Sequence, residues 1–347
     1  METVISGVLK EMVRQGHEAK LFLLGGSYHE EWLAGLNHRT IGRVNEKRWL
    51  RYFKYATVLP AMLRNFKPDV IVGADGPALQ LGWLIRRVCL PSAPIASWMH
   101  GPIVPAIEPA LHLADFHLCI NSDNQRHLRN DPAVRGRNVY LIHNPVEVDR
   151  DLPSILRTEN AAHFVYVGRL TYDSPKNVRD FIRALGMTGG NWSASIVGDG
   201  PDRERLMSLA SELAIDGRMT WLGWQERPWD HVESASALVM TSEYEGFGMV
   251  LAEAMARGVA CVSSDCAGAR DIVQNDVNGW LFPVGNTAAL AAILGEITRA
   301  ERRLPRVDSV RASVARFSAC RVVEAMVNAC LVERAARMGS PVKVIAE

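Results

Sequence analysis

Short apolar runs alternate with helix-patterned stretches along almost the whole chain, and that alternation admits few architectures. A strand followed by a helix before the next strand returns to the same edge of its sheet, so neighbouring strands lie parallel with helices on the faces. Candidate strands in the first half are Lys20–Leu24, Asp69–Gly73, Ile95–Met99, Phe116–Ile120 and Val139–Ile142. A second set is Phe164–Val167, Ala194–Val197, Met219–Leu222, Ala237–Met240 and Val259–Ser263. Between the sets, Asn144 to Pro153 has two prolines and little periodicity, and reads as an interdomain linker. The tail from Val307 to Met338 reads as one long helix. At 347 residues the chain has room for two domains of ordinary size.

Composition narrows the function classes. Hydrophobic residues make up 48% and charged residues 22%, which suits globular units with real cores. A formal net charge of +1 argues against a whole-chain nucleic-acid binder. No run reaches the ~20 apolar residues of a membrane-spanning helix. Met1-Glu2-Thr3 is acidic where a signal peptide would be basic, so a cytoplasmic location is expected. The six cysteines are scattered, and the closest pair, Cys261 and Cys266, lacks a second pair. Buried thiols in a reducing compartment are expected, and no metal.

The stretch from Ser242 to Gly258 carries the most chemistry. Glu245 sits in a glycine-punctuated strand-to-helix turn, Gly246-Phe247-Gly248, and Glu253 follows eight residues later inside the helix. A helix N-terminus collects unpaired N–H groups and partial positive charge, so it suits a phosphate. Two carboxylates beside it can accept hydrogen bonds from sugar hydroxyls. Phosphate plus sugar points to a sugar nucleotide.

Other strand ends point the same way. A strand from His163 ends in Gly168-Arg169-Leu170, and Lys176 follows seven residues after the arginine. Arginine offers a planar fork for two phosphate oxygens and lysine a compact charge for a third. Gly198-Asp199-Gly200 ends another strand, where glycines allow close backbone approach to a ligand. Trp221 and Trp224 flank the next strand end, either beside a nucleobase or as core and rim aromatics. In the first half, His100 ends a strand and enters a Gly-Pro loop, and Asp75-Gly76 is a weaker acceptor-side candidate. Between Arg39 and Lys54, the cations Arg39, Arg43, Lys47, Arg48, Arg51 and Lys54 interleave with Trp49, Tyr52, Phe53 and Tyr55. Read as a helix, this run is either a face for an anionic membrane or glycolipid, or a solvated face with inward aromatics.

The E-x7-E run at Glu245 and Glu253, with Gly168-Arg169-Leu170 and Lys176, resembles the signature of retaining glycosyltransferases of family GT4. The resemblance implies an α/β protein of the GT-B fold, two Rossmann-like domains facing across a cleft with a C-terminal helix crossing back to the first. It implies an acceptor-side domain over 1–148, a nucleotide-sugar domain over 149–315 and a returning helix over 316–347. In the family a strand and a glycine-rich loop precede the helix whose first turn is read at Met1 to Ser6. The first strand of domain one is therefore expected to be missing, with the chain short by ~15–20 residues. Tyr166-Val167-Gly168-Arg169-Leu170, the run from Gly223 to Trp229 and Ser263-Ser264-Asp265-Cys266 look like the group of lipopolysaccharide core 1,6-galactosyltransferases.

That group implies transfer of galactose from UDP-galactose to a lipopolysaccharide core, at the inner face of the cytoplasmic membrane. Arg169, Lys176, Glu245 and His100 would be catalytic. Gly198, Asp199, Gly200, Trp224, Gly246, Phe247, Gly248 and Glu253 would bind the donor, with Asp75, Arg48 and Arg51 on the acceptor side. Same-face attack, with the leaving phosphate taking the acceptor proton, fits better than a double displacement, and no cofactor or metal is implied. Asp149-Arg150-Asp151 spells an Asp-x-Asp metal motif, but in the linker. Competing readings are a transferase with another hexose donor or glycolipid acceptor, a UDP-sugar epimerase, or a UDP-sugar-binding protein without activity. A dinucleotide oxidoreductase is disfavoured, because Gly198-Asp199-Gly200 lacks the third glycine of that fingerprint.

Overall fold

The computed structural model describes residues 1–27, 29–101, 103, 108–148, 152–158 and 161–339. Asp149-Arg150-Asp151, in the middle of the expected linker, lies outside them. The chain forms two units: Met1–Pro145 with the stretch from Ala319 on, and Val146–Ser318. The two crossings between them are tied together. Val146 N–H donates to the Phe317 carbonyl at 2.8 Å, and Val146 and Ser318 form an isolated parallel bridge. The divisions therefore fall a few residues from 148/149 and 315/316.

The first unit runs α1 (Glu2–Arg14), β1 (Leu21–Leu24), β2 (His38–Ile41), α2 (Arg48–Phe66), β3 (Ile71–Gly73), α3 (Gly76–Cys89), β4 (Ile95–Met99), α4 (Glu108–Leu111), β5 (Phe116–Cys119), α5 (Ser122–Asn130) and β6 (Val139–Leu141). Its strands form two parallel sheets, β1-β2 and β3-β4-β5-β6, and among the described residues no strand precedes α1. The helices start where the sequence offers acceptors for orphan N–H groups. Asp75 accepts from Ala78 N–H at 2.7 Å to cap α3, and Asn121 accepts from Asn124 N–H at 2.7 Å to cap α5.

The second unit runs β7 (Ala162–Val167), α6 (Val178–Met187), β8 (Trp192–Val197), α7 (Arg203–Glu212), β9 (Met219–Gly223), β10 (Ala237–Met240), α8 (Met249–Ala256), β11 (Ala260–Ser264), α9 (Ala267–Ile272), β12 (Gly279–Phe282), α10 (Thr287–Thr298) and α11 (Val307–Ser313). Its sheet is parallel, in the order β9-β8-β7-β10-β11-β12. Every residue of β10 and β11 is buried, as expected of strands covered by helices on both faces. Phe164, Phe181, Ile196 and Leu294 lie in its core, and burying each such side chain stabilises by roughly 1.5–3 kcal/mol.

Three expectations need correcting. The tail is not one helix: α11 ends at Ser313, a 3-10 turn carries Phe317 into the core against Phe247, and α12 (Ala319–Met338) starts afresh. The chain has to extend at Ser318 to pair with Val146, and an unbroken helix could not. α12 then belongs to the first unit, where Glu333 accepts from Asn138 Nδ2 at 2.6 Å and Tyr140 OH at 2.7 Å. Second, the basic run is not one helix. Arg39 lies on β2, Arg43 precedes the helix, and α2 begins at Arg48. Third, β2 and β12 are strands that the apolar runs did not reveal.

Candidate active site

The chain order in the second sheet reverses direction at β7 and β10. From β7 it proceeds through β8 to β9 on one side, then through β10, β11 and β12 on the other. The loops leaving these two strands diverge, and the opening at their carboxyl ends is where ligands bind in open α/β sheets. The segments singled out from sequence lie here: Gly168-Arg169-Leu170 leaves β7, Gly198-Asp199-Gly200 leaves β8, and the Glu245 loop leaves β10.

The glycines are forced by crowding. Gly168 and Gly198 have φ of 155° and 141°. A Cβ on Gly198 would lie 1.9 Å from the Gly168 carbonyl oxygen, and one on Gly200 2.1 Å from that of Leu170. Gly198 N–H donates to Gly223 at 2.7 Å, which locks three strand ends together. Arg169 is exposed, and its backbone carbonyl accepts from the buried Tyr166 hydroxyl at 3.1 Å. Arg169, Gly198, Asp199 and Trp224 line one open cavity of about 420 Å³ with Gln225 and Pro228. Trp224 is a rim residue, 71% exposed, whereas Trp221 packs on the core.

A second cluster joins the β7 and β10 loops. Lys176 Nζ lies 2.5 Å from Glu245 Oε1, and Ser242 Oγ donates to the same oxygen at 2.7 Å. Glu243 N–H donates to the Pro175 carbonyl at 2.9 Å and Thr241 Oγ1 to the Lys176 carbonyl at 2.9 Å, so the two loops are fixed together. Hydrogen bonds from Asn177 and Ser174 hold the Glu243 carboxyl below the usual carboxylate range. Gly248, with φ of 89°, is the residue from which α8 starts, without a side-chain cap. Phe247 is buried edge-on to Phe317, so only its backbone can face a ligand.

Glu253, on α8, accepts from Trp229 Nε1 at 3.0 Å through Oε2. The two carboxylates share one arrangement. In each, one oxygen is held by the protein and the other takes no hydrogen bond from the described residues. Trp229 stands in a quoted motif, but its part in orienting Glu253 was not read from sequence. A tryptophan two dozen residues ahead of a helical glutamate carries no local signal.

The first-unit candidates are of mixed character. His100 follows β4, its ring centre 4.4 Å from that of Trp98 and tilted 59° to it, and neither ring nitrogen has a hydrogen-bond partner among the described residues. Burial pushes it down to about 4, so the imidazole is neutral at neutral pH. Asp75 is occupied in capping α3. Arg48 is exposed, but Arg51 is half-buried and turned toward Gly25 and Gly42 at the ends of β1 and β2. It therefore does not share the outer face expected of it.

Comparison with known proteins follows the division into two units. The family described as Glycosyltransferase Family 4 matches residues 1–150, and that described as Glycosyl transferases group 1 matches residues 148–307. The lipopolysaccharide 1,6-galactosyltransferase of Escherichia coli (strain K12) is 32% identical over 326 residues, 91% of this chain and 90% of the relative. Its namesake in Salmonella typhimurium is 29% identical over 309 residues, 86% of this chain and 85% of the relative. The apo structure of the lipopolysaccharide outer core galactosyltransferase WaaB matches with a TM-score of 0.85 at 28% identity, over 96% of this chain and 95% of that one. HepE of Anabaena, solved with UDP, has a TM-score of 0.77 at 17% identity over 94% and 95% of the two chains, a likeness of fold.

Proposed function

This chain belongs to the glycosyltransferases of the GT-B fold that join a family 4 domain to a group 1 domain, and on that premise we propose that it moves galactose from UDP-galactose to a lipopolysaccharide core sugar with retention of configuration. The observation that carries the reading is the pair of half-engaged carboxylates at a strand switch point furnished with cations. Glu245 offers its open oxygen to a hexose hydroxyl, and Glu253 offers its own to the ribose. Arg169, Lys176 and the N–H groups at the start of α8 receive the diphosphate. These groups neutralise the leaving charge without a metal ion.

As the bond from the anomeric carbon to the UDP oxygen breaks, negative charge grows on the diphosphate and positive character on the sugar. The acceptor hydroxyl attacks from the face the phosphate leaves. Its proton passes to the departing phosphate oxygen, and the new glycosidic bond keeps the donor's configuration. Galactose and the core acceptor rest on the relatives' names, and the retaining course on the E-x7-E resemblance.

Incubating the chain with UDP-galactose, UDP-glucose and UDP-N-acetylglucosamine and a core lipopolysaccharide lacking its branch galactose, in EDTA, tests the proposal. The expected product appears with UDP-galactose and carries an α-linked hexose by NMR. Product from another donor alone, a β-linkage, or none without added metal would overturn that part of it. An isomerised UDP-sugar without acceptor would indicate an epimerase instead.

Glu253→Ala is expected to weaken UDP binding about 10- to 100-fold, the worth of ~1.5–3 kcal/mol for hydrogen bonds to a charged group. Calorimetric titration of UDP checks this. Unchanged affinity would remove Glu253 from the ribose site.

A further inference from the structure

Among the described residues, Gln225 brings the only side-chain amide to the wall of the cavity at the ends of β7, β8 and β9. Its orientation is set by a fault in the sheet. β8 and β9 pair Ile196 with Trp221 and Val197 with Gly223, so Leu222 has no partner on β8. A bulged residue of this kind turns its backbone out of the ladder. The chain leaves through Gly223, whose φ is 71°, and Gln225 Nε2 donates to the Leu222 carbonyl at 2.9 Å. A carbonyl can only accept, so the amide cannot turn over without setting two oxygens against each other. Gln225 Oε1 takes no hydrogen bond from the described residues, and the second N–H of Nε2 is likewise open.

The far end of the same loop is held as well. Trp229 is 8% exposed, its Nε1 donates to Glu253, and the Arg257 guanidinium lies 5.5 Å from its ring centre. Pro228, next to it, lines the cavity, and Asp230 N–H donates to the Arg227 carbonyl at 3.1 Å. One short segment therefore joins the cavity wall to the carboxylate assigned to the ribose.

A locked amide distinguishes the two pyrimidines. Uracil presents an N3–H donor flanked by two carbonyl acceptors, whereas cytosine presents N3 as an acceptor beside an amino donor. A free amide reads either base by turning over. An amide fixed in one orientation matches uracil, with its oxygen on N3–H and its N–H on a ring carbonyl. Against cytosine the same oxygen would face the N3 lone pair, and a polar group left unpaired costs more than a made hydrogen bond contributes.

We propose that Gln225 selects uracil over cytosine in the donor, its Oε1 accepting from N3–H of the base and its open N–H donating to a ring carbonyl. This selection rests on the nucleotide-sugar reading of the cavity and names the group that reads the base.

Calorimetric titration of UDP, CDP and N3-methyl-UDP into the full chain is the test. The wild type is expected to bind UDP about 10- to 100-fold more tightly than either analogue, the worth of one two-pronged base contact. Gln225→Ala should weaken UDP by about that factor and leave CDP within about threefold of its wild-type affinity, which removes the preference. Trp224→Ala, on the same rim, should weaken UDP and CDP alike, because an aromatic face stacks on either base. If Gln225→Ala disturbs the circular dichroism spectrum, Gln225→Met, which keeps the side-chain length, replaces it with the same expected result. A wild type without preference would overturn the assignment to Gln225, as would a variant that keeps the preference or loses UDP and CDP equally; each leaves the nucleotide-sugar reading standing. No saturable binding of any of the three nucleotides by the wild type would overturn that reading itself, and this selection with it.

Discussion

Replacing Arg169 with alanine is expected to lower turnover 10²- to 10³-fold while leaving the fold intact. The side chain is exposed and makes no ion pair among the described residues, so its removal costs little stability. Its backbone is nevertheless held in place, by the Tyr166 hydroxyl on its carbonyl and by Gly168 N–H on the Val197 carbonyl at 2.9 Å. A pre-aimed cation at the switch point has its full effect when charge appears on the leaving diphosphate. Such interactions are worth ~3–4 kcal/mol in the transition state and less in the ground state. The loss should therefore fall mainly on kcat, with KM for the donor moving less. Arg169→Lys should recover part of the rate, because a point charge cannot reproduce the two-pronged contact. Lys176 differs: it already shares a proton donor–acceptor contact with Glu245, so its loss would also disturb the carboxylate. A rate for Arg169→Ala within a few-fold of wild type would remove the residue from the mechanism.

Gly198→Ala is expected to be the most damaging conservative change in the second unit. A methyl group there would overlap the Gly168 carbonyl oxygen at 1.9 Å, and φ of 141° is strained for any L side chain. Relief would require the β7 loop to retreat. That loop is tied to β8 by Gly168 N–H and Leu170 N–H, and β8 to β9 by Gly198 N–H. The change should cost about 4 kcal/mol or more, the range reserved for overpacking combined with a special backbone conformation. The melting midpoint of a unit this size should then fall by roughly 10 °C. Gly217→Ala is the control: its Cβ would meet nothing within 4 Å and its φ is not positive. Equal midpoints for the two variants would show that the interlocked strand ends are not as rigid as their geometry implies.

What could be read from the sequence follows physical lines. The buried parallel strands were legible because burial on both faces writes continuous apolar runs, as in Ala237–Met240. The loops leaving β7 and β8 were legible because the close approach of their two backbones leaves glycine as the residue that fits, as at Gly198 and Gly200. β2 was missed because His38 and Arg39 are exposed and give the strand a charged, half-polar pattern. β12 was missed because it is short and opens on Gly279. The break at Ala315–Phe317 depends on Phe317 meeting Phe247 and on Ser318 meeting Val146, contacts no local pattern encodes. Likewise, helical spacing could have separated Arg51 from Arg48 only once α2 was known to begin at Arg48 rather than near Arg39. The pairing of Lys176 with Glu245, 69 residues apart, needed the β7–β10 neighbourhood.

The carboxyl ends of β7 and β10 are proposed to hold a uridine diphosphate sugar through side chains and backbone N–H groups, without a metal ion. Calorimetric titration of UDP in EDTA, into the wild type and into Arg169→Ala, Glu253→Ala and Lys47→Glu/Arg48→Glu, tests it most directly. Saturable binding by the wild type is expected, weakened by the first two changes and untouched by the third. No binding in EDTA, or equal affinity in all four proteins, would contradict it.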